Sequence, residues 1–134
     1  MIVADTNLLV YLLVQGPLTS QIEAVYRKDS VWTAPRLWRS EFRSALALSM
    51  RRGLLTLDDA LIKMRAAELM LGAHEFEVNS GQVLSLAAAS GCTSYDCEFV
   101  ALAQSKRVPL ITSDRQVLSC FKNVAVSPQD FCTP

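Results

Sequence analysis

The chain has 134 residues and a mass of 14.8 kDa, 51% of its residues are hydrophobic, and 13 Lys and Arg residues balance 13 Asp and Glu residues. This size predicts a single domain over residues 1–134 that folds without disulfides or a structural metal. The composition excludes disordered and collagen-like proteins. The zero net charge excludes a nucleic-acid binder that acts as a bulk polycation, but it leaves room for a local basic patch.

Both the N-terminus and the cysteines predict a soluble, cytoplasmic protein with no membrane contact. The first residues lack a cationic segment and reach an acid at Asp5, so no secretory leader is expected. The longest apolar run, residues 8–14, is about a third of the length that spans a bilayer. None of the four cysteines has the spacing of a zinc site, which predicts free thiols in a reducing compartment.

Short apolar segments alternate with segments of helical pattern along the chain. Strands are predicted at residues 2–4, 31–33, 76–78, 108–112 and 124–126. Helices are predicted over residues 8–14, 20–29, 35–53, 56–71, 82–90 and 95–105, with a short one after 114. Pro35 is placed in the first turn of the third helix. This alternation predicts an α/β fold, a three-layer sandwich with a mostly parallel central sheet and helices on both faces.

Two acids follow predicted strands directly. Asp5 comes after the first strand and Asp114 after the fourth, so both are expected at the carboxyl edge of the sheet, where ligands bind in such folds. Either acid alone is typical of a turn or of a helix N-cap. Their shared edge indicates a common site.

Glu41 falls among apolar residues on its predicted helix. Its neighbours on the helical wheel are Leu37, Ala45 and Leu48, which predicts a carboxylate on the buried face. A buried carboxylate must be paired, neutralised or bound to metal. An internal ion pair with Arg52 and a metal site are therefore both open interpretations.

Three arginines, Arg36, Arg39 and Arg43, form a separate stripe on the same helix. The stripe indicates either a solvated face or a set of contacts to RNA phosphates.

Asp96 lies in the opening turn of the helix over residues 95–105. The helix dipole stabilises an acid at this position, whether or not the residue has a further role. Glu98 is expected to point to a different side, towards solvent or the helix dipole.

Four segments in order resemble the motifs of the PIN-domain family, and within it the chain is most similar to the single-domain toxin ribonucleases of the VapC type. They are residues 3–7, Glu41 in the helix after Pro35, residues 95–103 and residues 110–114. The resemblance covers nearly the whole chain. It implies the strand order 3-2-1-4-5 and an acidic metal pocket at the carboxyl edge of the sheet.

Matched residue by residue, the resemblance assigns catalytic and metal-binding roles to the pocket acids Asp5, Glu41, Asp96 and Asp114. It assigns supporting or phosphate contacts to Thr6, Asn7, Thr112 and Ser113. Carboxylates suit Mg²⁺ or Mn²⁺, and one or two ions are expected. The chain lacks the further acid that some relatives carry just after Asp114, where it has Arg115.

The implied function is a metal-dependent endoribonuclease that is the toxin of a toxin-antitoxin pair, with an RNA substrate, a cognate antitoxin protein and a homodimeric state. Apolar residues 54–55 and 69–71 are candidates for interfaces or for the core.

Two alternatives remain open. One is a PIN fold without catalysis that binds RNA or protein. The other is an aspartyl-phosphate phosphatase or receiver domain that uses Asp5 covalently. Asn7 stands where such phosphatases have a second acid, and Lys122 lies in an exposed-looking tail rather than directly after a core strand.

Overall fold

The structure is a computed structural model that describes residues 1–14 and 16–134. Its strands are β1 (Ile2–Ala4), β2 (Trp32–Pro35), β3 (Glu75–Phe76), β4 (Leu110–Ile111) and β5 (Ala125–Val126). Its helices are α1 (Thr6–Leu13), α2 (Thr19–Lys28), α3 (Trp38–Arg51), α4 (Leu57–Leu71), α5 (Ser80–Ser90), α6 (Ser94–Lys106), α7 (Arg115–Cys120) and α8 (Pro128–Cys132).

The five strands form one sheet in the order β3-β2-β1-β4-β5, and every neighbouring pair is parallel. In the centre, Val3 of β1 is in register with Thr33 of β2 and with Leu110 of β4. The helices connect and cover these strands. The predicted α/β class and strand order are confirmed.

The core lies around the central strands and the helix α6. All of β1 is buried, and the largest fully buried side chains include Trp32, Trp38 and Phe42. Helix α6 packs against β1, β2 and β4 and is buried from Phe99 to Ala103. This burial fixes the position of the first turn of α6, which carries Asp96, beside the end of β1.

The predicted position of Pro35 was wrong. It is the last residue of β2, where it is in register with Phe76, and α3 begins only at Trp38. A proline at the end of a strand costs little stability, because only one ladder N–H is missing there. Its ring also favours an extended backbone in the residue before it.

Helix α8 was not predicted, although its start carries a recognisable signal. Ser127 caps the helix by accepting a hydrogen bond from the backbone N–H of Asp130, and Pro128 occupies the first turn.

The two apolar segments considered as interfaces contain both buried and exposed residues. Leu71 is fully buried in the core, whereas Leu54 and Leu69 are 70% and 78% exposed. Leu57 and Leu61 of α4 are also exposed. Among the described residues, no helix is long and apolar enough to cross a membrane.

Candidate active site

Asp5, Thr112 and Asp114 meet where the adjacent strands β1 and β4 end. Thr112 Oγ1 donates a 2.6 Å hydrogen bond to Asp5 Oδ2, and it accepts one of 3.0 Å from the backbone N–H of Asp114. Thr112 is fully buried. One hydroxyl therefore connects the first and last of the four predicted acids.

The two strand-end acids differ in what they do for the adjoining helices. Asp114 is the N-cap of α7, and its Oδ1 accepts hydrogen bonds from the backbone N–H groups of Gln116 and Val117. The Asp5 side chain makes no such cap for α1. Capping thus accounts for one oxygen of Asp114, whereas Asp5 is directed to other partners.

Glu41 lies in the first turn of α3, and its Oε1 accepts a 2.7 Å hydrogen bond from Thr6 Oγ1. Arg52, the alternative partner considered from the sequence, is instead exposed at the C-cap of α3. Thr6 is buried directly after Asp5, so α1 and α3 hold these two acids on one side of the pocket.

The buried face of α3 differs from the one predicted. Trp38, Phe42 and Leu46 are the buried residues of this helix, whereas Leu48 is 40% exposed. Glu41 is therefore half-buried at the border of the apolar face. A border position gives a carboxylate access to solvent and ligands that a central position would deny.

Asp96 lies half-buried in the first turn of α6. Its backbone N–H donates to the hydroxyl of Thr93, which is the N-cap of the helix. Because Thr93 performs the capping, the carboxylate of Asp96 is not needed for it.

The acids act on one another electrostatically. Burial raises the pKa of Asp5, and the charges of Asp96 and Asp114 raise it further, while the hydrogen bond from Thr112 opposes the shift. Burial and the charge of Asp114 raise the pKa of Asp96. Burial also raises the pKa of Glu41, as do the charges of Asp5 and Asp96. The structure therefore brings all four predicted acids into one electrostatic neighbourhood.

The family model of the PIN domain matches residues 2–126. The chain belongs to the PIN domain family. This membership replaces the phosphatase and receiver alternatives, which require a different family. No match was found among curated proteins.

Three solved structures share the fold of this PIN domain. The structure of PAE2754 from Pyrobaculum aerophilum has a TM-score of 0.74 and 21% identity, covering 98% of this chain and 92% of that one. FitAcB from Neisseria gonorrhoeae has a TM-score of 0.71 and 17% identity, covering 96% and 99%. A toxin-antitoxin complex from Klebsiella pneumoniae has a TM-score of 0.68 and 14% identity, covering 96% and 98%.

The donor set of the pocket fits a hard divalent cation. Besides carboxylates, it contains Asn7, whose Oδ1 is buried without a hydrogen-bond partner and whose Nδ2 lies 3.4 Å from Asp5 Oδ2. In the described residues, no three His, Cys, Asp or Glu side chains form a group that could hold an ion by themselves. Mg²⁺ is commonly held by one or two carboxylates together with waters and substrate phosphates, so it needs no such cage.

The arginine stripe does not act as one unit. Arg36 and Arg43 are exposed, as a phosphate contact requires. Arg39 is instead held by carboxylates, with Nε 2.8 Å from Oε2 of Glu75 and Nη1 2.8 Å from Oε2 of Glu68. Arg39 thus joins α3 to α4 and β3, and its predicted phosphate contact stays a prediction.

Glu98 is less exposed than a fully solvent-facing position would be. This residue of the PIN domain is half-buried, and its charge is among the influences that raise the pKa of Glu41. Ser113 lies half-buried between Thr112 and Asp114. The sequence contained a signal that Glu98 is partly buried, because it stands one helical turn from Leu102. Leu102 and the adjacent residues Cys97 and Phe99 are buried.

Proposed function

We propose that this PIN domain is an endoribonuclease that depends on Mg²⁺ or Mn²⁺. The observation that carries the proposal is the group of acids at the sheet edge, where Asp5, Glu41 and Asp96 each have a pKa raised by burial and by neighbouring carboxylates. Such a group gains most from a cation that relieves its repulsion. PIN domains are generally nucleases and typically use divalent metal ions, which supports this reading of the chain.

Each residue is given a role that its contacts support. Asp5, Glu41 and Asp96 would hold the ion, directly or through water. Thr6 orients Glu41, and Thr112 orients Asp5. When bound, a divalent ion stabilises the negative charge that develops on the phosphoryl oxygens.

Asp114 keeps one carboxylate oxygen for the reaction. Both of its capping hydrogen bonds go to Oδ1, so Oδ2 would be the oxygen that binds the ion or the attacking water. In the second role Oδ2 would accept a proton from that water as it attacks phosphorus. Asn7 and Ser113 would contact the ligands or the phosphate, and the exposed Arg36 and Arg43 would contact the RNA backbone.

A cleavage assay on RNA tests this function. We expect wild-type protein to cut RNA internally with Mg²⁺ or Mn²⁺ and to stop in excess chelator. Asp5→Asn and Asp96→Asn should each lower the rate at least about 100-fold. Asp58→Asn is the control, because Asp58 is an exposed acid in the first turn of α4.

Metal binding is read independently by calorimetry, with the same variants. Cleavage that persists in chelator, or that Asp5→Asn leaves unchanged, would refute the proposal. RNA binding without turnover would instead assign the chain to the non-catalytic binding modules.

We also propose that the protein is a homodimeric toxin with a cognate antitoxin, acting in the cytoplasm. The likeness of its fold to that of the Klebsiella pneumoniae toxin-antitoxin complex supports the antitoxin partner, and the resemblance to toxin ribonucleases implies the dimer and the cytoplasm. Expression in bacteria should arrest growth, and Asp5→Asn should remove the arrest. Mass measurement by light scattering should give twice the chain mass of 14.8 kDa.

A further inference from the structure

Three cysteines lie around Ser90, where α5 ends and the chain turns into α6. The backbone N–H of Cys92 donates a 3.1 Å hydrogen bond to Ser90 Oγ, and Cys97 Sγ lies 4.0 Å from the same oxygen. The third thiol comes from α7, because Sγ of its last residue, Cys120, lies 3.9 Å from the carbonyl oxygen of Ser90. The end of α7 therefore lies against the turn that carries Cys92, although α6 and β4 separate the two in the chain.

Apolar packing holds the end of α7 in this place. Cys92 and Cys97 belong to a small buried cluster with Val83 of α5. Phe121, the residue directly after Cys120, packs against that cluster. The contact between Cys120 and Ser90 is thus part of a packed interface and does not depend on the side chain of Cys120 alone.

The thiols of Cys92 and Cys120 differ in their access to solvent. All four cysteines are free, but Cys92 is only 5% exposed whereas Cys120 is exposed. Burial raises the pKa of the Cys92 thiol to about 11, and the neighbouring Cys120 thiol is the next cause of that rise. Because the thiolate is the nucleophile and must reach its target, an oxidant from solvent reacts first with Cys120.

We propose that Cys92 and Cys120 are a modification site, where a small-molecule disulfide such as oxidised glutathione forms a reversible intramolecular disulfide. The Cys120 thiolate attacks one glutathione sulfur, so a bond from Cys120 to glutathione forms and one glutathione thiolate leaves. The Cys92 thiolate then attacks the Cys120 sulfur and expels the second glutathione thiolate. Two protein thiols are oxidised, one glutathione disulfide is reduced, and the two thiol protons end on the released glutathiones.

The local backbone favours Cys92 over Cys97 as the partner of Cys120. Cys92 lies in the short turn between Gly91, the C-cap of α5, and Thr93, the N-cap of α6. Cys97 is fully buried within α6. A disulfide fixes the distance and the dihedral angle between the two residues, so some backbone adjustment is needed to form it. A turn and the last residue of a helix can adjust more readily than the interior of a buried helix.

The bond would join two elements that carry acids of the pocket. The first turn of α6, directly after the turn with Cys92, contains Asp96, and α7 starts directly after its N-cap Asp114. Bonded sulfurs are about 2.05 Å apart, which is closer than two thiols approach without a bond. Formation of the bond should therefore shift these acids relative to each other and slow cleavage by at least about 10-fold. This effect on cleavage, unlike the bond itself, rests on the proposed function.

The bond is tested on reduced full-length protein that is incubated with oxidised glutathione, alkylated and digested. We expect a pair of peptides joined through Cys92 and Cys120. The intact mass should fall by that of two hydrogen atoms, and two of the four cysteines should remain open to alkylation. Dithiothreitol should restore all four thiols.

Three variants distinguish the steps of the reaction. Cys120→Ser is the main variant, since it changes an exposed residue, and it should form no intramolecular bond. Cys132→Ser, which removes the half-buried thiol of α8, is its control and should be oxidised at the wild-type rate. Cys92→Ala should stop at the mixed disulfide between Cys120 and glutathione. The melting temperature of each reduced variant checks that it is folded.

Several results would overturn the proposal. They are a wild-type product that is only the mixed disulfide with glutathione, a bond from Cys120 to Cys97, and full intramolecular oxidation of Cys120→Ser. A melting temperature lowered by oxidation would also overturn it, because the native fold would then not accommodate the bond.

Cleavage assays on the same samples separate the disulfide from the proposed function. Equal cleavage rates of reduced and oxidised protein would overturn the coupling to the acids alone. Formation of the bond in a protein that cleaves no RNA in either state would overturn the nuclease function and leave the disulfide site supported.

Discussion

Thr112 and Asp5 are 107 positions apart in the chain, yet their side chains are joined by a 2.6 Å hydrogen bond. The parallel register explains this contact, because Ala4 pairs with Ile111 and each strand ends one residue before the bonded pair. The same buried hydroxyl accepts the backbone N–H of Asp114. The geometry of two of the acids therefore depends on one threonine.

Replacing Thr112 by valine should impair both the site and the fold. Valine keeps the shape but removes the donor that opposes the rise in the pKa of Asp5, so this pKa should rise further. The acidic limb of the pH–activity profile should consequently move to higher pH, with activity about 10- to 100-fold lower. Urea denaturation should show a loss of about 1–3 kcal/mol, because the N–H of Asp114 is left without its partner.

Thr112→Ser is the matched control for this prediction. Serine keeps the hydroxyl and should retain the pH profile, with a smaller loss of stability from the missing methyl group. An unchanged profile for Thr112→Val would show that the hydrogen bond has no role in ionising Asp5.

Metal-free protein should become more stable when Asp96 is neutralised. The pKa of Asp96 is higher in the folded state than its ordinary value of 3.8. Its contribution to stability is therefore complete below that ordinary value and is lost as the pH rises through the folded pKa. In chelator near pH 7, Asp96→Asn should melt at a higher temperature than wild type, and the difference should vanish towards pH 4.

The comparison must be made against wild type at each pH, because Glu75 acts in the opposite direction. Its pKa is lowered by Arg39, so its contribution is present at neutral pH and lost on acidification in both proteins. Asp58→Asn, another acid in a helical first turn, controls for the helix dipole. Added Mg²⁺ should raise the melting temperature of wild type more than that of Asp96→Asn. A lower melting temperature for Asp96→Asn in chelator would contradict the prediction.

The strand ends were the most predictable part of the site. Asp5 and Asp114 follow short apolar runs, and parallel strands bring their carboxyl ends to one edge whatever the detailed packing. The positions of Asp5 and Asp114 after their strands were enough to predict that they lie at the same edge of the sheet. The resemblance to PIN domains supplied the strand order and the residues that belong with these two acids.

The helical residues were harder to place because the wheel of α3 had two plausible apolar arcs. Leu37 and Leu48 suggested that the buried face is centred on them. The large rings of Trp38 and Phe42 are buried in the core instead, so the buried face of the helix is centred elsewhere. The helical wheel placed Arg39 in a stripe that could be solvated or contact phosphate, and it could not show the contacts to Glu68 and Glu75, which are distant in sequence. Such contacts arise from packing between elements, which periodicity does not report.

Arg39 and Arg36 should respond differently to the same substitution. Arg39→Gln removes the contacts to Glu68 and Glu75 and should destabilise the fold by about 1–2 kcal/mol in urea denaturation. Arg36→Gln changes an exposed residue and should leave stability nearly unchanged while weakening RNA binding. The salt dependence of RNA affinity should become shallower for Arg36→Gln only. A shallower dependence for Arg39→Gln with full stability would reverse these assignments.

Asn7 provides a test of metal binding that leaves every carboxylate in place. Its Oδ1 is buried without a partner, which destabilises the metal-free protein, and its amide lies beside Asp5. Asn7→Leu has a similar shape and removes that oxygen together with the 3.4 Å amide contact to Asp5 Oδ2, so it should raise the stability in chelator by at most about 1 kcal/mol. If Oδ1 contributes to an ion site, the same variant should gain less from Mg²⁺ in thermal unfolding. Asn7→Leu with a full Mg²⁺ response would remove Asn7 from the site, because the carboxylates alone would then account for the affinity.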